Sequence, residues 1–282
     1  MLDFPGRSGL ASLHGRFSLP AIVRSGLRYL VPSSCALCGA HGCDALCMFC
    51  RRQFFTQLGV RCRICAMPLP SMDGPTGKDV RCGECLREPP AYDATVIAAD
   101  YVAPLDQLVL ALKFGGKLAL APLFARLLAD ALLRCRTVGA MPGLSVLSAA
   151  LATLPASNAS TLPALLAGVP LSAARLRVRG FNQTLEIARP LARLTGIALA
   201  PQLLLRVRDT RSQSSLSPEQ RRSNIAGAFD VAPRHADRIG GLHVAVVDDV
   251  ITTGHTLNEI AATLKRYGAA RVTNLVFART LR

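Results

Sequence analysis

Eight of the ten cysteines of this chain fall into four Cys-x-x-Cys pairs, all between Cys35 and Cys85. No other feature restricts the fold so strongly. A segment of paired thiols, rich in Gly, Pro and Arg and poor in hydrophobic periodicity, cannot build much of a core alone, and such modules are held together by metal. Cys35, Cys38, Cys47 and Cys50 make one candidate tetrad; Cys62, Cys65, Cys82 and Cys85 make a second, with sixteen residues between its two pairs. Each Cys-x-x-Cys turn presents two thiolates, and two turns complete the tetrahedral S₄ shell of zinc. The second spacing falls in the zinc-ribbon range, so two structural Zn²⁺ sites are expected. Crossed or nested pairing uses the same eight residues. Cys43 and His41 lie inside the first loop as substitutes, and redox pairs or buried thiols are the competing reading. Cys135, at the end of an apolar helix, reads as core.

The N-terminal apolar stretches are short and broken by arginines, unlike a signal peptide, so the thiols point to a reducing cytoplasm. From Val138 to Ala174 there is no charged residue, a length that can span a membrane. Pro142, Pro155, Pro163 and Pro170 interrupt it, as does the polar run "SNAST", so a loop followed by a buried strand is expected and no membrane span. With 50% hydrophobic residues over 282 positions, the chain can bury a full core. The expected division is an extension over 1–30 with a short amphipathic helix in "LPAIVRSGLRYLVP", a cysteine-rich head over 31–90, and a larger domain over 91–282.

Beyond Pro90 the pattern changes. "DATVIAADYV" reads as a strand, and "PLDQLVLALKF" and "LALAPLFARLLADALLRC" read as amphipathic helices. "LPALLAGVPL" reads as a buried strand, "QTLEIARPLARLTG" as a helix closed by glycine, and "LHVAVVDDV" as a second buried strand. "TLNEIAATLKRYG" and "ARVTNLVFART" add a final helix and strand. This alternation predicts an α/β fold with a mainly parallel sheet and flanking helices.

In "VAVVDDVITTGHTL" (Val244 to Leu257) the strand delivers Asp248 and Asp249 to the carboxyl edge of that sheet, where ligands bind in open α/β folds. Thr252, Thr253, Gly254, His255 and Thr256 then turn into a helix, offering hydroxyls and unpaired backbone N–H groups at the positive end of its dipole. Such a turn cradles phosphate. The adjacent carboxylates suit the two neighbouring hydroxyls of a ribose and help to hold Mg²⁺.

The charge is unbalanced: 33 Lys and Arg against 18 Asp and Glu, a formal +15, which favours anionic partners. Arg175, Arg177 and Arg179 precede Gly180, Phe181, Asn182 and Gln183, and this reads as a basic loop entering a helix, suited to pyrophosphate or a nucleic-acid backbone. Arg206, Arg208, Arg211, Arg221 and Arg222 add cations to an expected lid, and Lys113 is placed near the same cleft. With no Trp and 5% aromatic residues the chain lacks an obvious base-stacking platform, so any DNA contact should be electrostatic and salt-sensitive.

The stretch from Val244 to Leu257 resembles the phosphoribosyl-pyrophosphate (PRPP) loop of type I phosphoribosyltransferases. "RLRVRGFNQTLEIARPLA" (Arg175 to Ala192), "RDTRSQSSLSPEQRRSNIAGAFDV" (Arg208 to Val231), "LKFGGK" from Leu112 and the cysteine-rich head together resemble the ComF competence family, from about residue 25 to the end of the chain. That family usually carries Val-Pro-Val-Pro-Leu-His at the end of the strand before the arginine motif. Here the run is Ala167-Gly168-Val169-Pro170-Leu171-Ser172, with serine in the histidine position.

The resemblance implies a type I phosphoribosyltransferase-like domain behind a double zinc ribbon. It implies that Asp248 and Asp249 bind the ribose and Mg²⁺, that Thr252 to Thr256 bind the 5′-phosphate, and that PRPP or another phosphoribosyl ligand is the partner. Natural transformation or use of external DNA is the implied role. Two functions stay open: a phosphoribosyltransferase, whose catalytic residues and acceptor the sequence does not identify, and a non-catalytic protein binding single-stranded DNA or an uptake helicase beside a regulatory or vestigial PRPP pocket.

Overall fold

The computed structural model describes residues 33–42, 44–56, 58–70, 80–136, 162–208 and 225–281. The expected helix over 19–32, Cys43, most of the uncharged segment, and Arg211, Arg221 and Arg222 of the expected lid lie outside them. The chain divides into two compact units between Cys47 and Met48.

In the first unit, β1 (Ser33–Ser34) pairs antiparallel with β2 (His41–Gly42). The turn between them is closed by Cys35 N donating to Ala40 O at 2.8 Å and Gly39 N to Cys35 O at 2.9 Å.

The second unit begins with α1 (Met48–Phe55) and α2 (Gly83–Arg87). Then follow β3 (Ala94–Asp100), α3 (Leu105–Lys113), α4 (Leu120–Arg136), β4 (Leu165–Gly168), α5 (Ala173–Arg179), α6 (Gln183–Thr195) and β5 (Ala198–Leu199). The chain finishes with β6 (Leu204–Arg206), β7 (Phe229–Val231), α7 (Pro233–Ala236), β8 (His243–Ile251), α8 (His255–Arg266) and β9 (Arg271–Arg279). Five strands form one sheet in the order β3-β9-β8-β4-β5, every neighbouring pair parallel. This is the α/β arrangement that the alternation of strands and helices predicts. β6 and β7 pair separately and antiparallel.

The central strands are apolar on both faces because helices cover both: Val244 to Val247 and Leu275 to Ala278 are fully buried. β4 is shorter than the apolar run around it. Only Leu165–Gly168 pairs, and Gly168 lies at the crossing of α6, where a Cβ would stand 2.8 Å from Thr184 Oγ1 and 2.9 Å from Leu185 Cδ2. α6 ends as expected at Gly196, whose φ of 73° is left-handed.

One local expectation is overturned. Arg175, Arg177 and Arg179 do not lie on a loop; they sit on α5. Ser172 caps this helix, its hydroxyl accepting from Arg175 N at 3.3 Å, the Ala-Ala-Arg-Leu-Arg run has good helix propensity, and Gly180 closes it. Among the described residues no helix is long and apolar enough to cross a membrane.

Candidate functional site

The sulfurs of Cys35, Cys38, Cys47 and Cys50 lie within 4.8 Å of one another, as do those of Cys62, Cys65, Cys82 and Cys85. Cys38 Sγ and Cys47 Sγ are 3.8 Å apart, and Cys65 Sγ and Cys82 Sγ 3.6 Å. The edge of a tetrahedron with Zn–S bonds of about 2.3 Å is about 3.8 Å, so both sets fit zinc, and each can hold one ion. Electrostatics favour thiolate at one ligand of each cluster, Cys35 and Cys62. Burial works against ionisation of Cys35, yet backbone amides, those of Cys38 and Cys47 foremost, outweigh it and bring the thiol down to about 6. A hydrogen bond with Cys65 holds Cys62 at about 4 against burial, and the same bond together with burial pushes Cys65 up. His41 belongs to neither cluster.

A second site forms where parallel strands end together. Tyr101 follows β3, Val169 to Leu171 follow β4, Asp248 to Ile251 end β8, and Thr280 follows β9. All four segments line one cavity of about 850 Å³, within the range of small-molecule sites. Thr252 to Thr256 close it on one side, leading into α8. Gly254 takes φ 82° at the cap of that helix, a left-handed geometry glycine accepts without strain.

Asp248 and Asp249 both reach the cavity. Asp249 N donates to Asp248 Oδ1 at 2.9 Å. Asp249 is 3% exposed; one carboxylate oxygen meets Lys113 Nζ at 3.0 Å, and Oδ2 is buried without a hydrogen-bond partner. Burial first, then the neighbouring Asp249 charge, pushes the Asp248 carboxyl up to about 8, with Lys113 opposing. The pair therefore has unused acceptor capacity, and a diol or a cation is what it can take up.

Facing it are cations. Lys113, Arg175 and Arg179 line the cavity together with Arg206. Arg179 lies 5.2 Å over the Phe114 ring and donates to Gln183 Oε1. Burial lowers its pKa while the Asp249 charge raises it. Arg177, Gly180 and Asn182 do not line the cavity. Positions 175 and 179 share a helix face, and 177 turns to solvent. Asn182 is committed within the fold: its Oδ1 accepts from Thr184 N at 3.1 Å as the cap of α6, and its Nδ2 donates to Val169 O at 3.1 Å. Thr184 Oγ1 donates to the same carbonyl at 2.9 Å. Motif reasoning passed over Tyr101, Phe114, Phe181 and Thr280 as lining residues. The signal for Tyr101 and Thr280 is their place just past strand ends on the carboxyl edge.

Residues 187–281 match the phosphoribosyl transferase domain family. The chain is 35% identical over 244 residues to DNA utilization protein YhgH of Salmonella typhi, covering 84% of this chain and 97% of that one. It is 30% identical over 233 residues to competence protein F of Haemophilus influenzae, covering 80% and 93%. Among solved structures it is similar to hypoxanthine phosphoribosyl transferase of Trypanosoma cruzi, at 17% identity and a TM-score of 0.29, covering 56% of this chain and 62% of that one. With nearly the whole length of such relatives matched, an all-parallel sheet and two cysteine clusters, the chain belongs to the ComF family, that of competence protein F and DNA utilization protein YhgH.

Proposed function

We propose that this protein binds PRPP or a related 5-phosphoribosyl ligand with Mg²⁺ and acts in the use or uptake of external DNA. Asp248 and Asp249 take the ribose hydroxyls and the metal, and Thr252 to Thr256 take the 5′-phosphate. Lys113, Arg175 and Arg179 face the pyrophosphate, with Arg177, Gly180, Asn182 and Gln183 shaping or extending that basic side toward nucleic acid. Residues 91–282 form the ligand domain, 31–90 a double zinc ribbon with one ion per tetrad, and 1–30 an extension; the cytoplasm is the place of action. One observation carries the reading: a paired-acid strand end, a helix-capping Thr/Gly turn and four cations, Lys113, Arg175, Arg179 and Arg206, meet in one cavity. Acids for a diol, amides for a phosphate and cations for a leaving pyrophosphate are the complementary set that such a ligand needs.

A second reading, binding without turnover, draws support from Ser172. Ser172 is 6% exposed and its hydroxyl is committed to the cap of α5, so that strand edge offers a helix cap where the family usually places histidine. Partners are then single-stranded DNA or an uptake helicase.

Calorimetry of PRPP with and without Mg²⁺ tests the first reading. Replacing Asp248 and Asp249 together with Asn should weaken Mg²⁺-dependent binding at least tenfold, about 1.4 kcal/mol. A wild type that binds no phosphoribosyl ligand at millimolar concentration removes the reading and leaves the second. Turnover against a panel of nucleobases and amines separates enzyme from binding protein once binding is found.

A further inference from the structure

Behind the loop of Thr252 to Thr256 lies a second cavity of about 260 Å³, lined on one side by Thr253, Gly254 and His255 and on the other by Cys65, Cys85 and Tyr92. Arg279, the last residue of β9, lines it too. Its side chain is 1% exposed, and Nε and Nη1 have no hydrogen-bond partner. Among the described residues no carboxylate pairs with it: Glu84 on α2 and Glu88 just past its end, which also line the cavity, are exposed, and Glu259 accepts from Gly227 N at 2.9 Å. A buried guanidinium with empty donors is costly unless an anion completes it.

The cysteine cluster supplies that anion. Four thiolates around one Zn²⁺ carry a net charge of two negatives, and sulfurs of such centres accept hydrogen bonds from outer-shell donors. Arg279 shares the walls of this cavity with Cys65 and Cys85, two of the four ligands. The cluster is also joined to the loop. Tyr92, 5% exposed and packed with Cys62, Cys65 and Cys85 in one core, places its hydroxyl 2.9 Å from where a Cβ on Gly254 would stand. Ala91 N donates to Asn258 Oδ1 in the first turn of α8 at 2.6 Å.

We propose that Arg279 is the built-in counter-cation of the Cys62/Cys65/Cys82/Cys85 centre, and that the centre, its charge halved by the arginine, forms the rear wall that holds the Thr252 to Thr256 loop. The proposal rests on reading both tetrads as zinc sites. Metal occupancy at the second tetrad then sets the order of the loop on the far side of Tyr92.

Zinc transfer from the full-length protein to a colorimetric chelator tests it. Wild type should release two zincs, and a wild type that carries none refutes the zinc reading itself. Arg279→Met should release one of the two at a chelator concentration about 10–100-fold lower, the usual effect of an outer-shell change, and Arg279→Lys, which keeps the charge, should stay within a few-fold of wild type. Hydrogen exchange supplies the second readout: amides of 252–258 should exchange faster in Arg279→Met once that zinc has left, with the strands of the sheet unchanged. Two zincs held as tightly in Arg279→Met as in wild type overturn the proposal, as does unchanged exchange of 252–258 after the loss. Should Arg279→Met fail to fold, Arg279→Lys decides: a folded Lys variant that loses the second zinc as easily as the chelator permits overturns the charge argument, and one that keeps it upholds the argument.

Discussion

Lys113 Nζ, at the end of α3, lies 3.0 Å from Asp249 Oδ1 at the end of β8. The lysine side chain is 22% exposed and the aspartate side chain 4%, so the carboxylate is the buried partner and the ammonium its bridge to solvent. The pair joins two elements far apart in the chain, and both residues line the cavity at the strand ends. Removing the cation strands a buried charge. Lys113→Met should therefore lower unfolding free energy by about 1–3 kcal/mol, measured by urea titration of the ligand-free protein. An unchanged midpoint would show that Asp249 finds another partner.

Asp248 sets a pH dependence of the metal-free protein. Its folded carboxyl stands at about 8, well above its ordinary 3.8, because of burial and the Asp249 charge. The folded state therefore holds a proton that the unfolded state has released, and stability contributed by Asp248 is present at low pH and is lost as pH rises from about 4 to about 8. Asp248→Asn cannot ionise. It should melt above wild type at pH 8.5, with the gap narrowing by pH 5, in thermal scans without added Mg²⁺; equal melting at both pH values would refute the shift.

Asn182 reads in sequence as a ligand contact, yet both ends of its amide bind backbone. Asn182→Ala should remove a helix cap, typically about 1 kcal/mol, and the tie to Val169 O, about 1 kcal/mol more. The expected result is a loss of about 1–3 kcal/mol in denaturant unfolding, with Asp at this position recovering the cap but not the tie.

The two faces of α5 should separate two activities. Arg175→Ala with Arg179→Ala should weaken PRPP binding about a hundredfold or more, since each charged hydrogen bond is worth about 1.5–3 kcal/mol and tenfold is about 1.4 kcal/mol, whereas Arg177→Ala should leave it within about twofold because that residue is exposed outside the cavity. Replacing all three should weaken single-stranded DNA binding and flatten its slope against salt. Affinity and slope that do not move place DNA elsewhere on the protein.

Metal analysis of protein purified without chelator should return about two zincs per chain. Thiolates gathered on one ion are released when the ion leaves, so stripping should expose thiols to a colorimetric reagent in both tetrads. One zinc per chain, or an iron–sulfur absorbance, contradicts the two-site reading.

Features written within one short stretch were legible from residues alone. The Cys-x-x-Cys spacings define four thiol pairs, because a tight turn brings its own two thiols together whatever surrounds it, whereas the sequential grouping of those pairs into two clusters was decided by the fold. The strand, acid pair, Thr/Gly turn and helix from Val244 to Leu257 were equally legible, since pleat period, capping and helix periodicity are local. Tertiary structure decided what separation in sequence conceals. Parallel pairing in the order β3-β9-β8-β4-β5 brings Tyr101, Val169, Asp248 and Thr280 to one edge, and no local pattern specifies that order. It also turned Arg179 toward Phe114, gave Asp249 its lysine, and buried Arg279 beside thiols more than 190 positions earlier in the chain. Charge sign and residue type are properties of the sequence, but desolvation and distance set what each charge does, and both arise only when remote segments pack.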